Sequence, residues 1–273
     1  MNERNLKTIG MFDVLYEVAS GSFGTVYCVK KGNNLYACKM DKKYPDSNKL
    51  PSQLPYESQI YKYLSTSTDK ACFLKYIDSG RSNNVDYLIL ELAKHDLSQI
   101  PSNWSIKDRW PLILQCFEGI RTLHELGFVH RDVKPGNFLY SDNHVKLIDL
   151  GLAKRYRTSS HIKNILKKTQ VGTLRYNSIY AMSYVQSSRR DDLISFVYTA
   201  INVLGYNLPW QNAKGTKKEK QVHVLNMKKI CSAHRVCQNK SLAKVLMSVS
   251  NLSFDEDPNY TALLQCLSSG GPR

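Results

Sequence analysis

The sequence predicts an α+β fold in two unequal parts: a small, mostly β N-lobe with one main helix and a larger, mostly α C-lobe. Two patterns and the length point there. Up to about residue 91, strand-like runs alternate with turn residues around a single stretch of helical spacing. From Ser105 onward, apolar residues recur at helical spacing, as in Trp110, Leu112, Ile113, Leu114, Phe117, Ile120 and Leu123. The 273 residues suffice for such a pair of lobes and little else. In order, Ala19–Val26 reads as strand, glycine turn and strand. Leu35–Met40 is an apolar strand, Leu54–Leu64 the one helix, and Tyr87–Leu92 a buried strand. Helices dominate to Leu267. We draw one domain, with lobes at about 1–91 and 92–267 and a short tail, 268–273, whose Ser, Gly and Pro content predicts disorder.

Composition narrows the class. Hydrophobic residues make up 42% of the chain, ordinary for a globular protein. No apolar run reaches the length of a membrane span, so no membrane partner is expected. The N-terminus lacks the apolar core of a signal peptide. Position 2 is Asn, not the Gly that myristoylation needs, and no Cys box closes the chain. The seven cysteines show no paired spacing. Cys28 and Cys38 fall in strands and Cys116 in a helix, where buried, reduced thiols are expected. Cys231, His234 and Cys237 cluster, but their spacing fits no common zinc site. A reducing compartment follows as the expectation, cytoplasmic, nuclear or both.

The most specific stretch is His130-Arg131-Asp132-Val133-Lys134-Pro135-Gly136-Asn137, followed downstream by Asp149-Leu150-Gly151. These are the parts needed to move a phosphoryl group from ATP. Asp132 would meet the acceptor hydroxyl, Lys134 would screen the moving phosphate, and Asn137 and Asp149 would hold metal ions. Upstream, Gly21 and Gly24 would let backbone N–H groups approach the phosphates. A Lys inside an apolar strand is usually a snorkelling edge residue. Lys39, at this distance from the glycines, fits the group that binds the α- and β-phosphates, with Glu57 on the helix as its ion-pair partner.

With these motifs in order, the chain resembles the eukaryotic protein kinases over essentially its full length. Four further segments resemble the casein kinase 1 family: Gly172–Tyr180, Ser187–Leu193, Leu208–Gln211, and Phe254-Asp255 with Pro258-Asn259-Tyr260. The resemblance implies a bilobal protein kinase fold, ATP and Mg²⁺ as cofactors, and transfer of the γ-phosphoryl group to Ser or Thr. It implies a nucleotide site of Ala19, Gly21, Ser22, Gly24, Val26, Ala37, Lys39, Glu57, Leu90, Glu91, Leu92 and Asp149. Leu90 would be the gatekeeper, and the backbone from Glu91 to Ala93 would pair with adenine. The chain departs from the pattern at four places. Ala19 replaces the first loop glycine, Leu150 the Phe of D-F-G, and Val197 a helix Gly. The segment after Trp210 is one residue short. None removes a catalytic group.

Charge is the second large signal. Lys and Arg number 38 against 23 Asp and Glu, a net +15. From Leu150 to Arg190 there is no acidic residue, while that stretch carries nine Lys and Arg residues. Lys214, Lys217, Lys218 and Lys220 add a second cluster. The resemblance implies protein substrates with acidic or phosphorylated residues upstream of the target, acted on by a monomer. Matching to the family implies two anion sites. One is Arg131, Lys154 and Lys168. The other is Arg175 with Lys220, for which Lys217 or Lys218 could substitute. Two rivals stand beside this reading: a pseudokinase or scaffold, and a nucleic-acid-associated protein. The first is disfavoured by the intact Lys39, Asp132, Asn137 and Asp149, the second by the lack of a base-reading motif.

Overall fold

A computed structural model describes residues 7–21, 24–41, 52–68, 71–141 and 143–272. The chain divides into two compact units, Met1–Lys94 with Asp149–Gly151, and His95–Ile148 with Leu152–Arg273. Asp149–Gly151 thus join the first unit, and its boundary falls after Lys94 instead of at residue 91.

In the first unit, β1 (Thr8–Ile9), β2 (Phe12–Gly21), β3 (Gly24–Lys31), β4 (Asn34–Met40), β5 (Tyr76–Ser82) and β6 (Val85–Glu91) form an antiparallel sheet. Their order is β1-β2-β3-β4-β6-β5. Side chains alternate across a sheet, so register decides which residues share a face. One face buries Phe12, Val29, Cys38, Met40, Val85, Tyr87 and Ile89 as a core, with Ile9 beside them. The other carries Ala19, Val26, Lys39 and Leu88 in one cross-strand row and Ala37 and Leu90 in the next. Helix α1 (Leu54–Ser67) starts with Pro in its first turn, where a missing N–H costs nothing. It buries Leu54, Glu57, Ser58, Ile60, Tyr61 and Leu64.

The second unit is helical around two short sheets. Strand β7 (His95–Asp96) precedes α2 (Ile106–Glu125), which Ser105 and Asp108 open with a capping box. Strands β8 (Phe128–Val129), β9 (Phe138–Ser141), β10 (His144–Leu147) and β11 (Lys154–Arg155) follow. They pair as β10-β9-β7 and β11-β8. Helices α3 (Ile179–Met182), α4 (Arg189–Val203), α5 (Lys217–Ile230), α6 (Ala233–Val236) and α7 (Lys240–Ser250) follow. The last is α8 (Tyr260–Ser268). Almost every residue of α4 is buried, Val197 included, so this helix is the axis of the unit. No helix among the described residues is long and apolar enough to cross a membrane.

Two sequence features acquire a physical reason here. The tail expected to be disordered is packed as far as Gly271: Asn239 Nδ2 donates to the Gly270 carbonyl at 3.0 Å. Gly270 and Gly271 lie so close to Ser241 and Trp110 that a Cβ on either would collide with them. The composition of the tail reflects tight packing, not freedom. Tyr180 packs its ring under Arg190, with the guanidinium carbon 3.6 Å from the ring centroid. Its hydroxyl donates to the Ser250 carbonyl, and Arg190 Nη1 donates to the Leu252 carbonyl at 2.9 Å.

A cation over an aromatic face contributes up to ~2 kcal/mol when desolvated, and a hydrogen bond to a charged donor adds ~1.5–3. Arg190→Met should therefore lower unfolding stability by about 2–4 kcal/mol, read as an earlier urea midpoint. A midpoint equal to wild type would remove this packing from the account.

Candidate active site

In the first unit the hairpin turn depends on Gly24. Its φ is +141°, and a Cβ there would lie 2.1 Å from the Met40 carbonyl oxygen. Gly21 faces open space, and Ser22 lies outside the described residues. Lys39 Nζ donates to Glu57 Oε2 at 2.8 Å and to Asp149 Oδ1 at 2.7 Å. Glu57 is 2% exposed, and its burial holds the carboxyl above the ordinary range even with Lys39 against it. Burial pushes the Lys39 amine down, but the Glu57 and Asp149 carboxylates outweigh it and keep the ammonium charged. One cation thus ties a helix and the Asp149 turn to β4. Asp149 adopts a left-handed φ of +62°, which Asp tolerates better than most residues. Leu90 is buried at the end of β6, with Glu91 and Leu92 half-buried after it.

In the second unit the loop after β8 is built on Asp192 of α4. Its carboxylate accepts from the backbone N–H of His130 at 2.6 Å and of Arg131 at 2.8 Å. It also accepts from His124 Nε2 at 2.9 Å. Burial alone would raise the Asp192 pKa; the hydrogen bond from His124, the electrostatic attraction of His124 and His130, and the Arg131 N–H together hold it below the ordinary value. His130 Nε2 donates to the Ile148 carbonyl, and its Nδ1 accepts from the Asp132 N–H. The loop then presents Asp132, 4% exposed, between two partners. Lys134 Nζ lies 2.7 Å from Asp132 Oδ2, and Thr173 Oγ1 donates to Asp132 Oδ1 at 2.7 Å. Asn137 Nδ2 donates to the Asp132 backbone carbonyl at 2.8 Å. Thr173 reaches this position through Gly172, where φ is +82° and a Cβ would sit 2.5 Å from the Arg131 carbonyl oxygen.

The basic residues divide. Arg131 Nε donates to the Leu152 carbonyl, and Lys154 Nζ to Gln186 Oε1. Burial depresses the Lys154 amine, and the charges of Lys167 and Arg131 depress it further. The lysine whose charge bears on Lys154 is thus Lys167, half-buried, while its neighbour Lys168 is exposed. Arg175 is exposed and hydrogen-bonds to Tyr176. Lys217, Lys218 and Lys220 are exposed in the first turns of α5.

Sequence reasoning gave no site role to Asp192, Thr173 or Lys228. The signal for Asp192 was two acids opening a helix with no polar face. For Thr173 it was the hydroxyl directly after Gly172. A lone Lys in a Lys-rich helix offered none for Lys228.

The sequence model of the protein kinase domain matches residues 12–267. The chain belongs to the protein kinase family. Membership brings ATP as the phosphoryl donor and a divalent metal ion alongside it. The residues fit such an ion. Among the described residues no three His, Cys, Asp or Glu side chains form a cage of their own. A kinase metal needs none, because one carboxylate, one amide oxygen and the phosphates complete its oxygen shell. Asn137 commits its amide nitrogen to the Asp132 carbonyl, which leaves its amide oxygen free of that bond.

The Lys39–Glu57 pair yields a stability test. Lys39→Met leaves a buried carboxyl without its cation, at a cost of about 3–5 kcal/mol. The Glu57 pKa then rises further. A raised acid pKa means that the folded protein holds a proton the unfolded chain has released. Stability of Lys39→Met should therefore fall as pH rises from about 4.3 toward the folded pKa. Adding Glu57→Gln should restore most of the stability and abolish that slope. Equal pH profiles for the two variants in thermal unfolding would contradict a buried, cation-dependent Glu57.

Proposed function

We propose that this protein is a serine/threonine protein kinase of the casein kinase 1 type. It transfers the γ-phosphoryl group of ATP, with Mg²⁺, to Ser or Thr in protein segments that carry acidic or phosphorylated residues upstream. The observation that carries the reading is the clamped Asp132, its two carboxylate oxygens engaged by Lys134 and Thr173. A carboxylate fixed this way is aimed at an acceptor hydroxyl and needs no reorganisation when one arrives.

In this reading Asp132 orients the hydroxyl and receives its proton late in the transfer. Lys134 moves from neutralising Asp132 to stabilising charge on the phosphoryl oxygens. Lys39, held by Glu57, positions the α- and β-phosphates. Ala19, Gly21, Val26, Ala37 and Leu90 bracket the nucleotide, and the backbone at Glu91 and Leu92 pairs with its base. Asn137 and Asp149 would each be a ligand for the metal, which would supply positive charge to the phosphates.

Support for the casein kinase 1 type comes from how its four marker segments pack. Ser178 hydrogen-bonds to Asp191, and Tyr180 lies under Arg190. Trp210 Nε1 donates to the Arg175 carbonyl. Arg189 pairs with Asp257 and donates to the Asp255 carbonyl. Tyr260 meets His124 at 2.7 Å. Segments far apart in sequence are thus mutual neighbours, so their joint match reflects one packing solution. The acidic-substrate reading rests on the basic cluster of Arg131, Lys154 and Lys167, with Lys168 exposed beside it, and on Arg175 and Lys220.

The test uses paired peptides, one with phosphoserine upstream of the target Ser and one without. The primed peptide should be preferred, and Arg175→Ala should erase most of the preference, about five- to a hundredfold in kcat/KM. High salt should shrink the preference in wild type. If Arg175→Ala slows both peptides equally, Arg175 serves Tyr176 and not the substrate.

A further inference from the structure

Lys228 is a lysine in an unusual place. It sits in the last turn of α5 and is 4% exposed. Among the described residues no carboxylate pairs with it. Its Nζ donates instead to the backbone carbonyls of Asn177 at 2.5 Å and Leu174 at 3.1 Å. The same nitrogen lies 4.9 Å from the Trp210 ring centroid and 5.0 Å from that of Tyr198. Burial pushes its amine well below the ordinary lysine range, and the carbonyl oxygens and ring faces around it act against that push, in favour of the ammonium. Burying an ammonium without a counterion is costly, and an apolar side chain would fill the space between two aromatic rings at less cost.

The carbonyls it binds show what the cost secures. Trp210 Nε1 donates to the Arg175 carbonyl at 2.8 Å. Lys228 and Trp210 therefore bind three carbonyls of one short arch, those of Leu174, Arg175 and Asn177. The arch closes on itself through Tyr176 N and Asn177 N, both donating to the Thr173 carbonyl. Thr173 in turn holds Asp132 by its hydroxyl. Carbonyls in a tight arch point outward and need donors, and a lysine has three on a rotating head. The two rings attract the ammonium that a purely apolar pocket would reject.

We propose that Lys228 is a positioning residue for the protein substrate: with Trp210 it clasps the 173–177 arch and so places Thr173 and Arg175 on the side from which the acceptor approaches. The proposal rests on the kinase reading and is separate from Arg175's reading of phosphate. Lys228 touches neither nucleotide nor acceptor. Its removal loosens the arch, which affects peptide binding and alignment. Lys39, Glu57 and Asp149, which serve the nucleotide, belong to the other unit.

The test compares Lys228→Met with wild type in steady-state phosphorylation of primed and unprimed peptides. The KM for both peptides should rise roughly tenfold while the KM for ATP stays within about twofold. Trp210→Phe removes the indole N–H but keeps an aromatic ring, a smaller one, and should shift peptide KM in the same direction by less. Lys228→Ala with added ethylammonium should regain peptide KM, and ethanol at the same concentration should not. That comparison also serves if Lys228→Met fails to fold. An unchanged peptide KM in Lys228→Met, equal rises for ATP and peptide, or equal rescue by ethanol would overturn the proposal. If Arg175→Ala leaves priming preference intact while Lys228→Met raises both peptide KM values, the clasp stands and the phosphate reading falls.

Discussion

The carboxylate of Asp192, 1% exposed, accepts two consecutive backbone N–H groups, His130 and Arg131, and the ring of His124. Everything the second unit offers to catalysis hangs from those bonds. Arg131 has a φ of +70°, a left-handed conformation that costs a non-glycine residue ~1–2 kcal/mol. Charge-assisted bonds to a carboxylate already ionised and desolvated are strong enough to hold it. Once Arg131 is turned, Asp132 falls beside Lys134, Asn137 ties back to the Asp132 carbonyl, and Thr173 closes the clamp. Tyr260, at the start of the last helix, reaches the same carboxylate through His124. The position of Asp132 is thus fixed by a buried charge on α4.

The two units handle buried charge in contrasting ways. Lys39 is surrounded by two carboxylates, so a buried Glu57 and an ionised ammonium support each other. Lys228 has no anion and relies on carbonyl dipoles and ring faces. The first arrangement suits a group that must exchange a carboxylate for a phosphate while keeping its charge. The second suits a fixed strut. Asp192 lies between them, an anion satisfied mostly by neutral N–H donors.

The residues proposed to touch the reacting groups could be named from the sequence because such chemistry demands both type and spacing. Asp132, Lys134 and Asn137 lie within one loop, where local geometry alone brings them together. Lys39 and Glu57 were legible because a charge in an apolar strand and one in a helix need each other. Gly24 was read as making room for phosphate, and the structure adds the Met40 carbonyl as a second reason. Thr173, Asp192 and Lys228 could not be read this way. Each acts over a separation of 41 to 62 residues, as in Thr173–Asp132, His130–Asp192 and Asn177–Lys228, and no local pattern encodes such a meeting. Lys168 and Lys167 differ by one position in a segment without regular structure, where spacing cannot say which of two neighbours turns inward. The tail misled for a related reason: glycines that permit contact look the same as glycines that permit freedom.

The central claim is that the clamped Asp132 serves phosphoryl transfer to an aliphatic hydroxyl. The most direct measurement follows γ-labelled phosphate from ATP to a phosphoserine-primed peptide with one target Ser, using wild type and Asp132→Asn of equal thermal stability. The account predicts label on that Ser with wild type and a rate lower by roughly 10²–10⁴ with Asp132→Asn. Comparable rates for the two proteins, or wild-type label only on water, would contradict it.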